Sequence, residues 1–575
     1  MTVSLVGSGA AIDAVEAALA DVGVERTTGL DSFADAALGV VVGDAGGDIF
    51  ERASERARAS GVPWFAIERG GMGGLAVTDA AVAMLSPEGA CYDCLRARVR
   101  ANADGDVPEG NSAGPDSTAG TRTPAPETVR FAGAIAGREA VRAVTADADV
   151  FGRVVEPPFT ERPLLPVPNC GCAPAGDPDL RRNHVDRSLE DAVARAERAL
   201  DERVGIVQEV GEAESFPAPY YLARSCDTSG FSDASAPRDA AGVDADWNRA
   251  FMKGLGEALE RYCGGVYRTD AMESATPDNL ARAVAPSAFV CETAPDGEEI
   301  RWVEGEALET GERAFLPAEF VHYPPPTQRY RSAVTTGLGL GNDGVEALCS
   351  GLYEVVERDA AMLAWHSTFD PLGLDVADED FETLERRAAA EGLSVTPVLL
   401  TMDVDVPVVA VALQREEWPR FAVGTDADLS VARAARSALA EALQNWMELR
   451  GMGPDGAAEA LGAIGEYAET PGPAADFADP GTVVPATDVG PDAVPAGRAE
   501  LDALLERLAE ANLAAYAARI TTRDVDHLGF EAVRAVVPAA QPLCFGDPYF
   551  GERAVEVPDA LGFEARPGRA HHPFP

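Results

Sequence analysis

Two stretches of this sequence close on the same five-residue pattern, and nothing else in the chain limits its fold so sharply. Glu257, Glu260 and Arg261 end the first, AGVDADWNRAFMKGLGEALERY. Glu354, Glu357 and Arg358 end the second, GVEALCSGLYEVVERDA, 97 residues further on. Both predict amphipathic helices at about 100° per residue. Trp247, Phe251, Leu255, Leu259 and Tyr262 gather on one side of the first, and Val345, Leu348, Leu352, Val355 and Val356 on one side of the second. Carboxylates three apart share a helix face, where they either pair with cations in solvent or jointly hold a divalent metal. Lys253, the only lysine in the chain, stands one turn before Glu257. It can contact a phosphate oxygen or balance the carboxylates. A solvated face accounts for one such helix; two of them, each after a glycine-containing loop, point to a shared site. The second loop, Thr335 to Asp343, reads TTGLGLGND, a backbone suited to close approach by a ligand.

Charge narrows the partners. Lys and Arg total 47 against 95 Asp and Glu, a formal −48 spread along 575 residues. A dispersed acidic surface of this kind suits a cytoplasm at high salt and disfavours nucleic acid and anionic membranes. No apolar run has the length of a membrane span and no signal segment opens the chain, so a cytoplasmic protein is expected. Nine cysteines, an odd number in a long chain, imply thiols or metal ligands and not a disulfide framework.

In the N-terminal third, VSLVG runs into Gly7-Ser8-Gly9 and a helical segment to about Asp21. Strands at 37–42 and 63–67 around a helix at 49–60 continue a Rossmann-like half-domain. The third glycine of a dinucleotide loop is missing, which weakens the case for nucleotide binding there. Cys91 and Cys94, with Cys170 and Cys172, supply four thiolates for a tetrahedral zinc site. Residues 103–126 and 467–498, rich in Gly, Pro and polar residues, read as a disordered insert and a mobile loop. Cys226, Cys263, Cys291, Cys349 and Cys544 read as buried hydrophobes, and the six histidines show no metal spacing.

Resemblance adds to this. GACYDCLRARVRAN resembles the zinc-binding segment of the degenerate ThiF-like domain in azoline-forming peptide-modifying enzymes. The two Glu-x-x-Glu-Arg helices and the segment LSVARAARSALAEALQNWMELRG resemble the three nucleotide motifs of the YcaO family, in its SagD-like cyclodehydratase branch. TTRDVDHLGFEAVRAVVP and the terminal His571-His572-Pro573-Phe574-Pro575 resemble that branch as well. The resemblance implies an α/β (α+β) fold: a degenerate Rossmann-like ThiF-like domain with a zinc site over 1–190, then a YcaO-type ATP-binding domain over 191–575. It implies ATP bound by Glu257, Glu260, Asn342, Glu346, Glu354, Glu357, Arg358, Glu441 and Gln444, with Lys253 nearby. Magnesium would sit on Glu257, Glu260, Glu354 and Glu357, and Pro573 and Pro575 would help organise catalysis. Two departures stand out. Gly242-Val243 replaces a Gly-Lys-Gly seen in many members, and Ser437 stands where an arginine is expected, with Arg433 one turn away and Arg436 adjacent. The implied activity is ATP-dependent formation of thiazoline or oxazoline rings from Cys, Ser or Thr of a ribosomal precursor peptide, as in bacteriocin biosynthesis. A flavin-dependent dehydrogenase and a second copy in a homodimer are the implied partners. Backbone thioamidation with a sulfide donor and a non-catalytic ATP- and peptide-binding scaffold are the alternatives.

Overall fold

The computed structural model describes residues 1–103, 124–146, 148–172, 176–294, 297–460 and 462–575. Most of the expected 103–126 insert lies outside the described residues. The chain divides into two compact units. The first comprises Met1–Gly176, Glu197–Glu209 and Ser225–Ser235; the second comprises Asp177–Ala196, Val210–Arg224 and Ala236–Pro575.

The first unit is built on seven strands: β1 (Thr2–Val6), β2 (Glu25–Thr28), β3 (Leu38–Asp44), β4 (Trp64–Arg69), β5 (Ala80–Leu85), β6 (Arg153–Glu156) and β7 (Thr160–Pro163), in the order β2-β1-β3-β4-β5-β6-β7. Pairing is parallel as far as β4 and antiparallel beyond it. The inner parallel strands β1, β3 and β4 are largely apolar and buried, as strands covered on both faces must be, whereas the edge strand β2 is polar and mostly exposed. Helices α1 (Ala10–Asp21) and α4 (Pro126–Thr145) cover one face over Val3, Leu5, Val40, Phe65 and Ile67. Helices α2 (Asp48–Ser60) and α3 (Tyr92–Ala101) pack together, with Phe50 stacked on Tyr92 at 5.1 Å.

Three further sheets follow, two of them wholly in the second unit. β8 (Val207–Glu214), β9 (Tyr220–Ser225) and β10 (Asp239–Val243) form one, in the order β10-β9-β8, with Val207–Glu209 and Ser225 counted in the first unit and the rest in the second. The second contains β11 (Glu273–Ala275), β12 (Ile300–Ala307), β13 (Arg313–Pro317), β14 (Leu338–Gly341), β20 (Tyr516–Arg519) and β21 (Glu531–Val536), running β11-β12-β20-β21-β14 with β13 on the far side of β12. The third, β18-β17-β16-β15-β19, uses β15 (Leu372–Asp375), β16 (Ser394–Leu399), β17 (Val408–Gln414), β18 (Phe421–Ala427) and β19 (Val483–Pro485). Among them run α5 (Leu189–Ala196), α6 (Trp247–Gly265), α7 (Ala318–Val321), α8 (Gly344–Trp365), α9 (Glu379–Ala390), α10 (Val431–Ala457), α11 (Ile464–Glu469) and α12 (Gly472–Phe477). Helix α8 contacts β14 and β21 of one sheet and β17 and β18 of another, so it is buried nearly all round. Helix α10 lies across β17 and β18, with Leu439, Leu443 and Trp446 fully buried.

Three local expectations change. Residues 241–243 do not begin the first helix but end β10; Asp246 caps α6 by accepting the Arg249 N–H at 3.0 Å. Trp247 stays 42% exposed, packed with Phe251 around Tyr221 at the rim of the small sheet. The segment 467–498 carries α12 and β19, and β19 extends the third sheet by pairing parallel with β15. Its alanines and Phe477 find cover in the core, which its Gly and Pro content had obscured.

Candidate functional site

The middle stretches of α6, α8 and α10 and the end of β18 converge on one cavity of about 800 Å³ in the second unit. Glu257, Glu260, Glu354, Glu357, Arg358, Glu441, Gln444, Lys253 and Pro575 all line it. Two close backbone approaches make this possible. At Gly242 a Cβ would lie 2.1 Å from the Gly254 nitrogen, so only glycine lets β10 rest against α6. At Gly339 a Cβ would lie 2.1 Å from the Ala347 oxygen, so β14 can run directly beneath α8. The glycines of TTGLGLGND, expected to admit a ligand, serve at Gly339 to admit a helix.

Most of the carboxylates are held by the protein. The Ala241 N–H donates to Glu257 Oε2 at 2.7 Å, and Arg261 pairs with its other oxygen at 2.5 Å. The Gly337 N–H donates to Glu354 Oε2 at 3.0 Å. Thr425 joins two motifs: its hydroxyl donates to Glu357 at 2.5 Å and its N–H to Glu441 at 2.6 Å. Arg358 lies 3.4 Å from Glu357 and 3.9 Å from Glu441, and donates to the Pro575 oxygen at 3.1 Å. Lys253 pairs with Asp244 at 2.9 Å.

Crowding like charges away from water favours their protonated forms. Burial, with Glu354 and Glu257 beside it, pushes the Glu260 carboxyl up to about 8. Burial and Glu357 push Glu441 up to about 7, against the pull of Arg358. Glu257, Glu357 and Asp426 are raised as well, chiefly by burial. A site that strains to ionise its own carboxylates is one that cations would stabilise. The donor set, carboxylate oxygens in one pocket, is what magnesium prefers, leaving room for phosphate and water.

A family model described as YcaO cyclodehydratase, ATP- and Mg2+-binding, matches residues 241–541, just over half of the chain. This chain belongs to the YcaO family. A heterocyclase solved with substrate and cofactor aligns with 98% of this YcaO chain and 83% of its own, at a TM-score of 0.73 and 19% identity. The heterocyclase TruD aligns with 98% of this chain and 82% of its own, at a TM-score of 0.65 and 18% identity. At such identities the likeness is one of fold. An uncharacterised protein of Methanothermobacter thermautotrophicus is 30% identical over 210 residues, covering 34% of this chain and 54% of the relative. The chain thus spans about half the length of that curated relative.

Two expected residues of the YcaO motifs do not line the cavity. Asn342 and Glu346 meet at the start of α8, where Glu346 Oε2 accepts the Asn342 N–H at 2.8 Å and its side-chain amide at 2.9 Å. Arg195 donates to the Asn342 side-chain oxygen. His184, given no role from its spacing, sits 3.0 Å from Asp343 and forms a potential ligand cluster with it and Glu346. Neither arginine near Ser437 substitutes for the missing one. Arg433 is taken up by Asp428 at 2.7 Å and Glu500 at 2.9 Å, and Arg436 by Asp378 and Asp380 at 3.7 and 3.6 Å. Ser437 itself lines the cavity.

Sequence reasoning missed Thr425, Asp426 and Asp428, which sit at and just beyond the end of a strand where no helical spacing marks them. The terminal segment is anchored. Trp365 Nε1 donates to the Ala570 carbonyl at 2.8 Å, the Tyr467 hydroxyl to the His571 carbonyl at 2.6 Å, and Phe574 packs buried against Trp365. Pro573, unlike Pro575, is not a lining residue.

In the first unit, Cys91, Cys94, Cys170 and Cys172 bring their sulfurs together, with Sγ separations of 3.6–3.7 Å between Cys91 and Cys94, Cys91 and Cys170, and Cys94 and Cys172. A tetrahedron of sulfurs around zinc, at about 2.3 Å from the metal, has edges of about 3.8 Å. Of the other five cysteines, Cys226, Cys263, Cys349 and Cys544 are buried and Cys291 is half-buried.

Proposed function

We propose that this chain is an ATP-dependent cyclodehydratase that forms thiazoline or oxazoline rings in a ribosomal precursor peptide. The observation that carries this is the single cavity into which both Glu-x-x-Glu-Arg motifs, Glu441, Gln444 and Pro575 converge. In this reading a Cys thiol, or a Ser or Thr hydroxyl, attacks the preceding carbonyl carbon. The resulting oxyanion takes the terminal phosphoryl group of ATP, ADP leaves, and loss of phosphate and the amide proton closes the C=N bond. Magnesium, when bound, neutralises the phosphate charge. The chain's own part is positioning: Arg358 and Lys253 face phosphate, Thr425 keeps Glu357 and Glu441 aligned, and the wall around Thr335 and Thr336 confines the peptide. Pro573 and Pro575 would order the cavity mouth from the anchored tail.

Around this core we place the first unit as a ThiF-like domain whose four cysteines hold zinc and help present the peptide. A flavin-dependent dehydrogenase acting on the product, a homodimer and a cytoplasm at high salt complete the reading. Among the described residues no helix is long and apolar enough to cross a membrane.

One observation favours the scaffold alternative: Ser437 lines the cavity where an arginine is expected, and neither Arg433 nor Arg436 reaches it. Mass analysis decides between them. The protein is incubated in high salt with magnesium, ATP and a Cys-, Ser- and Thr-containing peptide. Loss of one water per ring, matched by phosphate release that Glu357→Ala abolishes, is the expected result. A gain corresponding to sulfur in place of oxygen, seen only with added sulfide, would establish thioamidation instead; nucleotide binding without turnover would establish the scaffold.

A further inference from the structure

One stretch of the cavity wall is backbone with donors to spare. Ala333, Val334, Thr335 and Thr336 all line the cavity, and no described residue accepts a hydrogen bond from the N–H of Thr335 or Thr336. The carbonyl side of this stretch is tied down instead. Arg534, on β21 and 2% exposed, donates through Nη1 to the Thr335 carbonyl at 2.7 Å and through Nη2 to the Val334 carbonyl at 2.9 Å. The Thr335 carbonyl also accepts the Leu338 N–H at 2.9 Å, closing a turn in which Gly337 takes a φ of +91°.

A trans peptide unit holds its C=O antiparallel to the next N–H. The carbonyls of Val334 and Thr335 both turn to one guanidinium, so the N–H groups of Thr335 and Thr336 both turn away from it. Two successive N–H groups aimed alike form a concavity for an anion. The surrounding charge agrees with that. Arg331 and Arg358 share a smaller pocket with Val334 and Thr336, so three guanidiniums gather at this wall. Burial and the nearby Arg331 push Arg534 down to about 10, which leaves it charged at neutral pH.

We propose that the N–H groups of Thr335 and Thr336 form a two-donor site for the anionic oxygen of the reacting amide, and that Arg534 is the positioning residue that aims them. The oxygen becomes anionic when the Cys, Ser or Thr nucleophile adds to the carbonyl carbon, and it is the atom that then takes the phosphoryl group. Donors fixed in place before that charge develops favour the transition state over the ground state. Arg534 touches neither substrate nor nucleotide; it acts through the two carbonyls.

This rests on the cyclodehydratase reading, so one arm of the test needs no turnover. The full chain, labelled with 15N-threonine, is titrated with inorganic phosphate, magnesium present, in about 2 M KCl, which screens the acidic surface. The Thr335 and Thr336 N–H resonances, assigned by their loss in Thr335→Val and Thr336→Val, should move downfield together and saturate. Arg534→Lys keeps the charge but cannot span both carbonyls, and should weaken that response about tenfold. Turnover then identifies the guest. Proline is favoured at the second position of such a turn, so Thr336→Pro deletes one N–H and keeps the turn, whereas Thr336→Val deletes the hydroxyl and keeps the N–H. The proline variant should show a kcat about 100-fold below that of the valine variant, as loss of one oxyanion donor does, at a similar KM for ATP. A raised KM for ATP at equal kcat would assign the donors to a nucleotide phosphate and overturn the amide assignment. If Thr336→Pro fails to fold, Arg534→Lys carries the same comparison of kcat with KM. Absence of the phosphate response overturns the donor site whatever the turnover. A response intact in a chain that turns over no peptide counts against the cyclodehydratase reading and not against the donors.

Discussion

At the scale of single residues, the site depends on a few side chains that do two things at once. Thr425 is the clearest: one residue satisfies Glu357 through its hydroxyl and Glu441 through its backbone. Thr425→Val removes the first bond and keeps the second, leaving Glu357 buried without its donor. We expect kcat to fall by about 10–100-fold with the KM for ATP little changed, since an alignment that matters in the transition state is lost. Steady-state kinetics over a range of ATP concentrations checks this. Gly339 makes a complementary point about packing. Its Cβ would lie 2.1 Å from the Ala347 oxygen, and backbone cannot yield there as a side-chain tip can. Gly339→Ala should destabilise the second unit by about 1–3 kcal/mol or more, read as a shifted denaturation midpoint. Neither effect was legible in the sequence. Thr425 lies on a strand with no motif, and Gly339 looked like part of a ligand loop.

At the scale of elements, the tail of residues 569–575 behaves as a strap and not as a frayed end. Arg569 lies over the Trp365 ring at 3.8 Å and donates to the Trp365 carbonyl at 2.7 Å. The His572 Nε2 faces the Cys544 carbonyl at 2.8 Å. Burial holds His572 down to about 3 and His366, at the end of α8, down to about 4. In the unfolded chain both take up protons near ~6.5. Protons therefore bind the unfolded chain first. The strap is fully stable above that value and loses stability as pH falls from there through about 4 and then 3. Hydrogen exchange at residues 569–575 should accelerate across this window. Among the described residues neither ring nitrogen of His366 has a hydrogen-bond partner, so His366→Leu should reduce the acid sensitivity with little cost at neutral pH. Unchanged exchange between pH 7 and pH 4 would contradict this account. The sequence offered the tail only through resemblance, because the Trp and Tyr that hold it lie about 200 and 100 residues away.

At the scale of the whole molecule, two features belong to the chain and not to any site. The first is the four-cysteine cluster, which ties the start of α3 to a loop some 79 residues later. If it holds zinc, chelation or Cys170→Ser should loosen α3 and lower the melting temperature of the first unit, because metal-binding energy is folding energy. Exchange protection in α3, compared with α8 of the second unit as an internal control, is the measurement. The second feature is the formal charge of −48. Self-repulsion of that size is screened by salt, so the melting temperature should rise steadily from about 0.1 M to 2 M KCl. A flat response would remove the argument for a high-salt cytoplasm.

What the sequence determined by itself was whatever rests on local spacing. Helices α6, α8 and α10 follow from apolar periodicity, the paired carboxylates from three-residue repeats, the alternating α/β order of the first unit from strand and glycine patterns, and the thiol pairs from Cys-x-x-Cys and Cys-x-Cys. Only the tertiary structure decided which of those acidic faces is wet and which lines a cavity. Periodicity marks a polar face identically in both cases, and the difference lies in what packs across it. The same holds for Asp426, which no helical repeat announces, and for Arg433, which spacing put on the right face but which Asp428 and Glu500 hold out of the cavity. Non-local contacts carry no short-range signature, and this site is made where four distant segments meet.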